Sequence, residues 1–277
     1  MGYPMGNGLL RHLFVVFLAL GASFVALAQA DLETGFAAAR QGDYAAAYKL
    51  WLPLAEKGNS NAQNNLGVLY EKGWGQARDY AKAAEWYRKA ADQGNASAQN
   101  NLGVLYERGQ GLNQDFRRAA EWYRKAASRG ELNAQNNLGV LYERGDGVAR
   151  NVDEAFRLYK SAADKGLAQA QNNLGVFYER GKGTAQNYAQ AAALYRKAAE
   201  QGNAAAQNNL GVLYGTGRGV GEELVQANFW FTLAATGGSA NGAINRDNTS
   251  RRLSPAQREQ VEKLLADWQA RQPSKRP

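Results

Sequence analysis

From residue 60 to residue 239, apolar and polar positions follow a pattern that repeats every 36 residues. The phrase AQNNLGVLYERG, residues 98–109, returns in close variants from Ala62, Ala134, Ala170 and Ala206. Within it, Ala98, Leu102, Leu105 and Tyr106 recur at the spacing of one helical face. Gly103, beside them, lets a neighbouring helix approach closely. Gly109 and Gly111 predict the end of that helix, because glycine takes the left-handed conformation that a helix end wants. A second stripe, Ala119, Tyr123, Ala126 and Ala127, predicts a helix over about Phe116 to Ser128 that stops at Gly130. The counterparts of that glycine, Gly58, Gly94, Gly166, Gly202 and Gly238, keep the same interval. Each period therefore predicts two short helices around a glycine-bearing turn. Periods of this length imply stacked hairpins that bury their apolar faces against one another.

The ends depart from the pattern as the ends of a repeat array should. Residues 36–44, FAAARQGDY, read as a unit with a shortened turn, and residues 229–235, FWFTLAA, as a sixth second helix. The first-helix phrase then dissolves into Ala243-Ile244-Asn245-Arg246-Asp247. Ser254-Pro255-Ala256-Gln257 is a helix-start signature, and Val261, Leu264, Leu265 and Trp268 supply an apolar face that can cover the last repeat. Ahead of the repeats, the apolar run Leu13 to Leu27 follows Arg11 and leads into Ala28-Gln29-Ala30, a small-x-small cleavage site. The run is shorter than the roughly 20 residues of a membrane-spanning helix. The expectation is a signal peptide over 1–30, a single repeat domain over 31–271, a disordered tail over 272–277, and a periplasmic destination. With no cysteine, a lipid-modified N-terminus is excluded.

These residues closely resemble the Sel-one-like repeat (SLR) family, a relative of the tetratricopeptide repeats with a longer turn in each unit. The resemblance spans about Phe36 to Trp268. It implies an all-α fold: a right-handed α-solenoid, or superhelix, of helix-turn-helix repeats, here with a C-terminal capping helix. It also implies an adaptor or regulator, since the family includes sensor partners, assembly factors, host-interaction proteins and immunity proteins that neutralise injected toxins.

Composition narrows the chemistry. The chain carries a net charge of +8, and removal of the leader, which holds Arg11, His12, Met1 and Met5, leaves +7 with no His, Cys or Met. Histidine and cysteine supply most general bases near neutral pH and most transition-metal ligands, so no catalytic, cofactor or metal site is expected. Gly215-Thr216-Gly217-Arg218-Gly219 is glycine-rich but follows a helix rather than a strand, which is the wrong setting for a phosphate loop. No serine stands in the S-x-x-K spacing of a β-lactamase-like enzyme, the least favoured alternative. Basic pairs such as Arg88-Lys89 and Arg124-Lys125 are interleaved with acids. They read as a solvated face with weak attraction to an anionic membrane surface, and not as a nucleic-acid site.

The positions left over suggest binding. On a helical wheel Asn100 and Val104 fall opposite the apolar arc, and in tetratricopeptide-like superhelices the first helices line the concave surface. By resemblance, a partner-binding ladder is expected along Asn64, Val68, Asn100, Val104, Asn136, Val140, Asn172, Val176, Asn208 and Val212. The second asparagine of each pair, such as Asn101, is expected to be structural. Specificity is expected where the copies disagree, at the turn residues Trp74, Gln110, Asp146, Lys182 and Arg218, and also at the helix starts Asn61, Ser97, Asn133, Gln169 and Ala205. The function so read is a monomeric, non-catalytic scaffold that binds another protein and inhibits or regulates it, with an envelope assembly or signalling adaptor as the alternative.

Overall fold

A computed structural model describes residues 29–271. Among the described residues there are fourteen helices and no strand. They are α1 (29–40), α2 (Tyr44–Glu56), α3 (Ser60–Lys72), α4 (Tyr80–Asp92), α5 (Ala96–Arg108), α6 (Phe116–Ser128), α7 (Leu132–Arg144), α8 (Val152–Asp164), α9 (Ala168–Arg180), α10 (Tyr188–Glu200), α11 (Ala204–Thr216), α12 (Leu224–Thr236), α13 (Ala240–Ser250) and α14 (Pro255–Arg271). The odd-numbered helices up to α13 open a hairpin and are called A helices; the even-numbered ones up to α12 close it and are called B helices. The chain forms two compact units, one running to Arg129 and the other starting at Gly130. Within each unit, consecutive helices pack in chain order as a helix-turn-helix solenoid. Residues 1–28 of the expected leader and the tail over 272–277 lie outside the described residues, and Gln29 and Ala30 open α1.

Short polar side chains start the helices. Asn59, Asn95 and Asn203 cap A helices, and Asp79, Asp115, Asn151 and Asn187 cap B helices, each accepting a hydrogen bond from the backbone N–H three residues on. Glycine ends the A helices: Gly73, Gly109, Gly145, Gly181 and Gly217 all sit at positive φ. The second turn glycine has a different task. A Cβ on Gly111 would come within 2.3 Å of the Tyr80 carbonyl carbon, and one on Gly219 within 2.4 Å of that of Tyr188. The turn of one repeat thus lies directly on the backbone where the preceding B helix begins.

Inside each hairpin, an aromatic ring lies against a glycine. Tyr87, Tyr123, Tyr159 and Tyr195 are wholly buried, and a Cβ added to Gly67, Gly103, Gly139 or Gly175 would strike their rings at 2.5–2.8 Å. The shortened first hairpin does the same with Gly35 and Trp51, and the last full repeat does so with Gly211 and Phe231. Apolar burial around these rings supplies the core, with Ala83, Ala84 and Ala90 fully or nearly fully buried in α4 and their equivalents in later repeats.

Amides join one hairpin to the next. Gln63, Gln99, Gln171 and Gln207 each donate from Nε2 to a carbonyl near the end of the preceding B helix, at Ala55, Ala91, Ala163 and Ala199. The second asparagine of one A helix donates to the first asparagine of the A helix before it: Asn101 to Asn64 at 3.1 Å, Asn173 to Asn136 at 2.9 Å, Asn209 to Asn172 at 3.1 Å and Asn245 to Asn208 at 2.9 Å. Asn65 Nδ2 is buried without a partner. Allowing for the shortened first turn, Leu32 stands where its acceptor would be.

The cap forms as its sequence suggests. Ser254 N donates to Gln257 Oε1 and Gln257 N donates to Ser254 Oγ, while Trp268 packs edge-on against Phe229 and Trp230. Residues 240–250 remain a helix although the AQNNLGV phrase has gone, because Asn245 still makes its bond to Asn208 and Ser239 still caps.

Two stability outcomes follow. Gly103→Ala forces a methyl group into the Tyr123 ring and should cost about 1–3 kcal/mol in denaturant unfolding; an unchanged midpoint would show that the ring has room to move. Asn101→Leu strands a part-buried acceptor on Asn64, whereas Asn65→Leu removes an unmet donor, so the first should be the more destabilising by about 1 kcal/mol or more. Equal costs would mean that the rungs contribute nothing specific.

Candidate interaction surface

Residues 97, 101, 104 and 108 lie within one narrow arc of a helix, and in α5 that arc faces solvent. Ser97 and Arg108 are exposed, and Asn101 and Val104 are half-buried between them. The same arc is Asn61, Asn65, Val68 and Lys72 in α3. In the second unit it is Asn133, Asn137, Val140 and Arg144 in α7, Gln169, Asn173, Val176 and Arg180 in α9, and Ala205, Asn209, Val212 and Thr216 in α11. Each unit thus presents a stripe in the order variable residue, amide, valine, base.

This places the sequence-predicted residues differently from the wheel. All five valines, Val68, Val104, Val140, Val176 and Val212, are half-buried and belong to the stripe. Val140, Val176 and Val212 also pack against the core beneath. Of the first asparagines, Asn100, Asn136 and Asn172 are buried, and Asn64 and Asn208 are half-buried; Asn64, Asn136, Asn172 and Asn208 accept the inter-repeat bonds. They are therefore joints between repeats, as are the second asparagines that donate to them, and it is the second asparagine that lies on the solvent-facing arc. The reversal has a physical cause. A wheel assumes one buried arc, but an A helix in a stack is flanked by its own B helix and by the hairpins on either side.

The turn residues are also committed to neighbours. Trp74 is 42% exposed, yet it stacks on Tyr44 of the preceding hairpin with ring centroids 4.7 Å apart. Lys182 forms an ion pair with Glu143 one repeat earlier at 2.8 Å, and Arg218 lies over the Tyr188 ring at 5.7 Å. Gln110 and Asp146 are half-buried in their turns. The helix-start positions Asn61 and Gln169 reach forward to accept from the capping amides of Asn95 and Asn203.

The basic end of the stripe, which the sequence reading passed over, depends on the tyrosines below it. Tyr87, Tyr123, Tyr159 and Tyr195 donate through their hydroxyls to Glu71, Glu107, Glu143 and Glu179 at 2.5–3.0 Å. Each glutamate immediately precedes the base of the stripe. Held by the ring, it is turned toward the hairpin, and Arg108, Arg144 and Arg180 make no ion pair within 4 Å among the described residues. In the fifth repeat the ring is Phe231, the glutamate is Gly215 and the base is Thr216: the three positions change together, and no polar group is stranded. An i, i+4, i+7, i+11 count centred on the valines would have found the bases in sequence.

Among the described residues no group of three or more His, Cys, Asp and Glu could hold a metal ion, and no helix is long and apolar enough to cross a membrane. What the repeats of each unit present is a set of short, mixed amide, aliphatic and cationic faces, the form of a helical-repeat binding scaffold. The Sel1 repeat model matches residues 60–95, 96–131, 132–167, 168–203 and 204–239, and the chain belongs to the Sel1 repeat family. Sel1 repeats mediate protein–protein interactions, and their scaffolds are generally non-catalytic.

Solved structures agree. A Sel1 repeat protein from Oxalobacter formigenes is 34% identical, over 75% of this chain and 86% of that one, with a TM-score of 0.64. The protective antigen c5321 of uropathogenic Escherichia coli, which displays an SLR fold, is 31% identical over 90% of this chain and 62% of that one, with a TM-score of 0.57. The immunity protein Pa5087 from Pseudomonas aeruginosa shares the fold at 23% identity, over 78% and 84% of the two chains, with a TM-score of 0.52. Comparison with curated protein sequences returns no match.

The buried tyrosines set an alkaline limit. Burial first, and then the facing glutamate, hold Tyr87, Tyr159 and Tyr195 well above the ordinary phenol value. The folded-state values being raised, their contribution is fully present below about pH 10, where unfolded tyrosine ionises, and is lost as the pH rises beyond it. Helicity and tyrosinate absorbance should therefore change together above about pH 10. Tyrosines that all ionised near their ordinary value with helicity intact would contradict the arrangement.

Proposed function

We propose that this chain is an exported, monomeric scaffold that binds one protein partner along the A-helix stripes and thereby inhibits or regulates it. The observation that carries the reading is the stripe itself, which recurs in both units and in which Arg108, Arg144 and Arg180 are exposed bases that the fold does not use. Amides offer donors and acceptors to a loop, valines a dry contact, and unpaired arginines the planar cation favoured at binding hot spots. The array of bases suits an acidic segment of the partner, with charge steering the encounter. Two properties support inhibition over passive scaffolding: the residues that vary between repeats sit on the same face as the repeated contacts, and the fold is shared with Pseudomonas aeruginosa immunity proteins. Export rests on the leader and its Ala28-Gln29-Ala30 site.

The test combines the purified chain with each candidate secreted enzyme, taken first from the products of neighbouring genes. The expected result is a stoichiometric complex by light scattering and suppression of that enzyme's activity. Arg108→Glu with Arg144→Glu should weaken the complex at least tenfold without moving the melting temperature, because both side chains are exposed and unpaired. Unaltered affinity in the double variant would remove the stripe as the binding face, and full enzyme activity in the presence of excess scaffold would end the inhibitory reading. N-terminal sequencing of protein recovered from the periplasmic fraction should start at Asp31; an intact leader on cytoplasmic protein would end the export proposal.

A further inference from the structure

One position is filled differently from repeat to repeat, and in the second repeat it leaves an opening. The residue just past the B helices α4, α6, α8, α10 and α12 is Gln93, Arg129, Lys165, Gln201 or Gly237. Where it is glutamine it folds back. Gln93 Nε2 donates to Gln63 Oε1 at 2.7 Å and Gln201 Nε2 to Gln171 Oε1 at 2.8 Å, so the clamp glutamine of the A helix has both ends of its amide engaged. Arg129 does not close the gap in this way. Its guanidinium lies on Gly94 instead, where a Cβ would meet Nη2 at 2.9 Å.

The result is a cavity of about 330 Å³ between the end of α4 and the end of α6. Gln99 lines it while only 3% exposed; its Nε2 is spent on Ala91 O, and its Oε1 has no partner. Opposite stand Arg129 and Lys125, the latter 4.0 Å above the centre of the Trp122 ring, which forms an apolar wall. Asp92 is exposed at the rim and cancels one of the two positive charges.

We infer that this cavity binds the last residue of a peptide chain, its α-carboxylate on Arg129 and Lys125 and its backbone N–H on Gln99 Oε1. An acceptor-only anion would satisfy the cations and leave Gln99 unmet. An ammonium would reach Gln99 only against two positive charges. A carboxylate one carbon away from an amide N–H meets both demands, and the guanidinium fork matches the carboxylate geometry. The cavity is at the small end of ligand sites, which suits one or two residues rather than a folded partner. No residue of the A-helix stripes lines it, so its test is separate from that of the partner-binding face.

The probes are acetyl-Gly-Ala, its C-terminal amide, and the ester analogue with oxygen in place of the last N–H, each titrated into the full chain and followed by amide chemical shifts. The free acid should bind saturably and shift the signals of Gln99, Trp122 and Arg129. The C-terminal amide should bind at least tenfold more weakly, and the ester severalfold more weakly. Arg129→Gln reproduces the residue that closes the site elsewhere in this chain, so it should abolish binding with the melting temperature unchanged or raised. Lys125→Gln should weaken binding with the fold intact. Equal binding of acid and amide, acetate binding as tightly as the dipeptide, or full binding by Arg129→Gln would each overturn the assignment.

Discussion

The repeat depends on an aromatic ring lying flat against a backbone that has no side chain to hold it off. At Gly67, Gly103, Gly139 and Gly175 the missing Cβ brings the A helix onto the tyrosine of its B helix, closer than any other residue would allow. Everything outside that contact is downstream of it. The buried ring carries its hydroxyl to the end of the A helix, where it donates to a glutamate. That carboxylate is drawn inward; Arg108, Arg144 and Arg180, which follow it in three of the hairpins, are left to solvent, while Lys72 pairs with Glu71. A packing constraint in the interior thus determines the charge on the surface. The fifth repeat makes the dependence visible, since loss of the hydroxyl at Phe231 accompanies loss of both the acid and the base.

The helices, their ends and the nesting glycines were legible because each is a property of one hairpin: a 3.6-residue period, a capping side chain, a glycine at positive φ. The asparagines were not, because their role belongs to the contact between hairpins. Asn100 and Asn101 are adjacent, equally polar and equally repeated, and nothing within one copy says which of them faces the next repeat. The inter-repeat bonds span 37 residues, one more than the period, and that single extra residue distinguishes acceptor from donor.

Variation between copies was informative, but it had two causes. At the helix starts it changes what an exposed face offers. At the turns it mostly tracks what lies one repeat back: tryptophan over Tyr44, lysine beside Glu143, arginine over Tyr188. Such residues are exposed in area yet committed in contact, and sequence shows only the first. The reverse case is Arg129. In sequence it is one more basic residue near a helix end, and its consequence appears only once Gln93 is seen to fill the equivalent space.

Within each unit the asparagine rungs are directional, the later A helix donating to the earlier, so the chemistry alone would let hairpins be added without limit. Two residues break the rule. Leu32 occupies the acceptor position at the start and has nothing to offer Asn65. Ile244 occupies it at the end, 59% exposed, where a further hairpin would need an amide. They act as punctuation: the length of the array is written in two aliphatic side chains, and duplication of any interior repeat would lengthen the protein without asking either boundary to change.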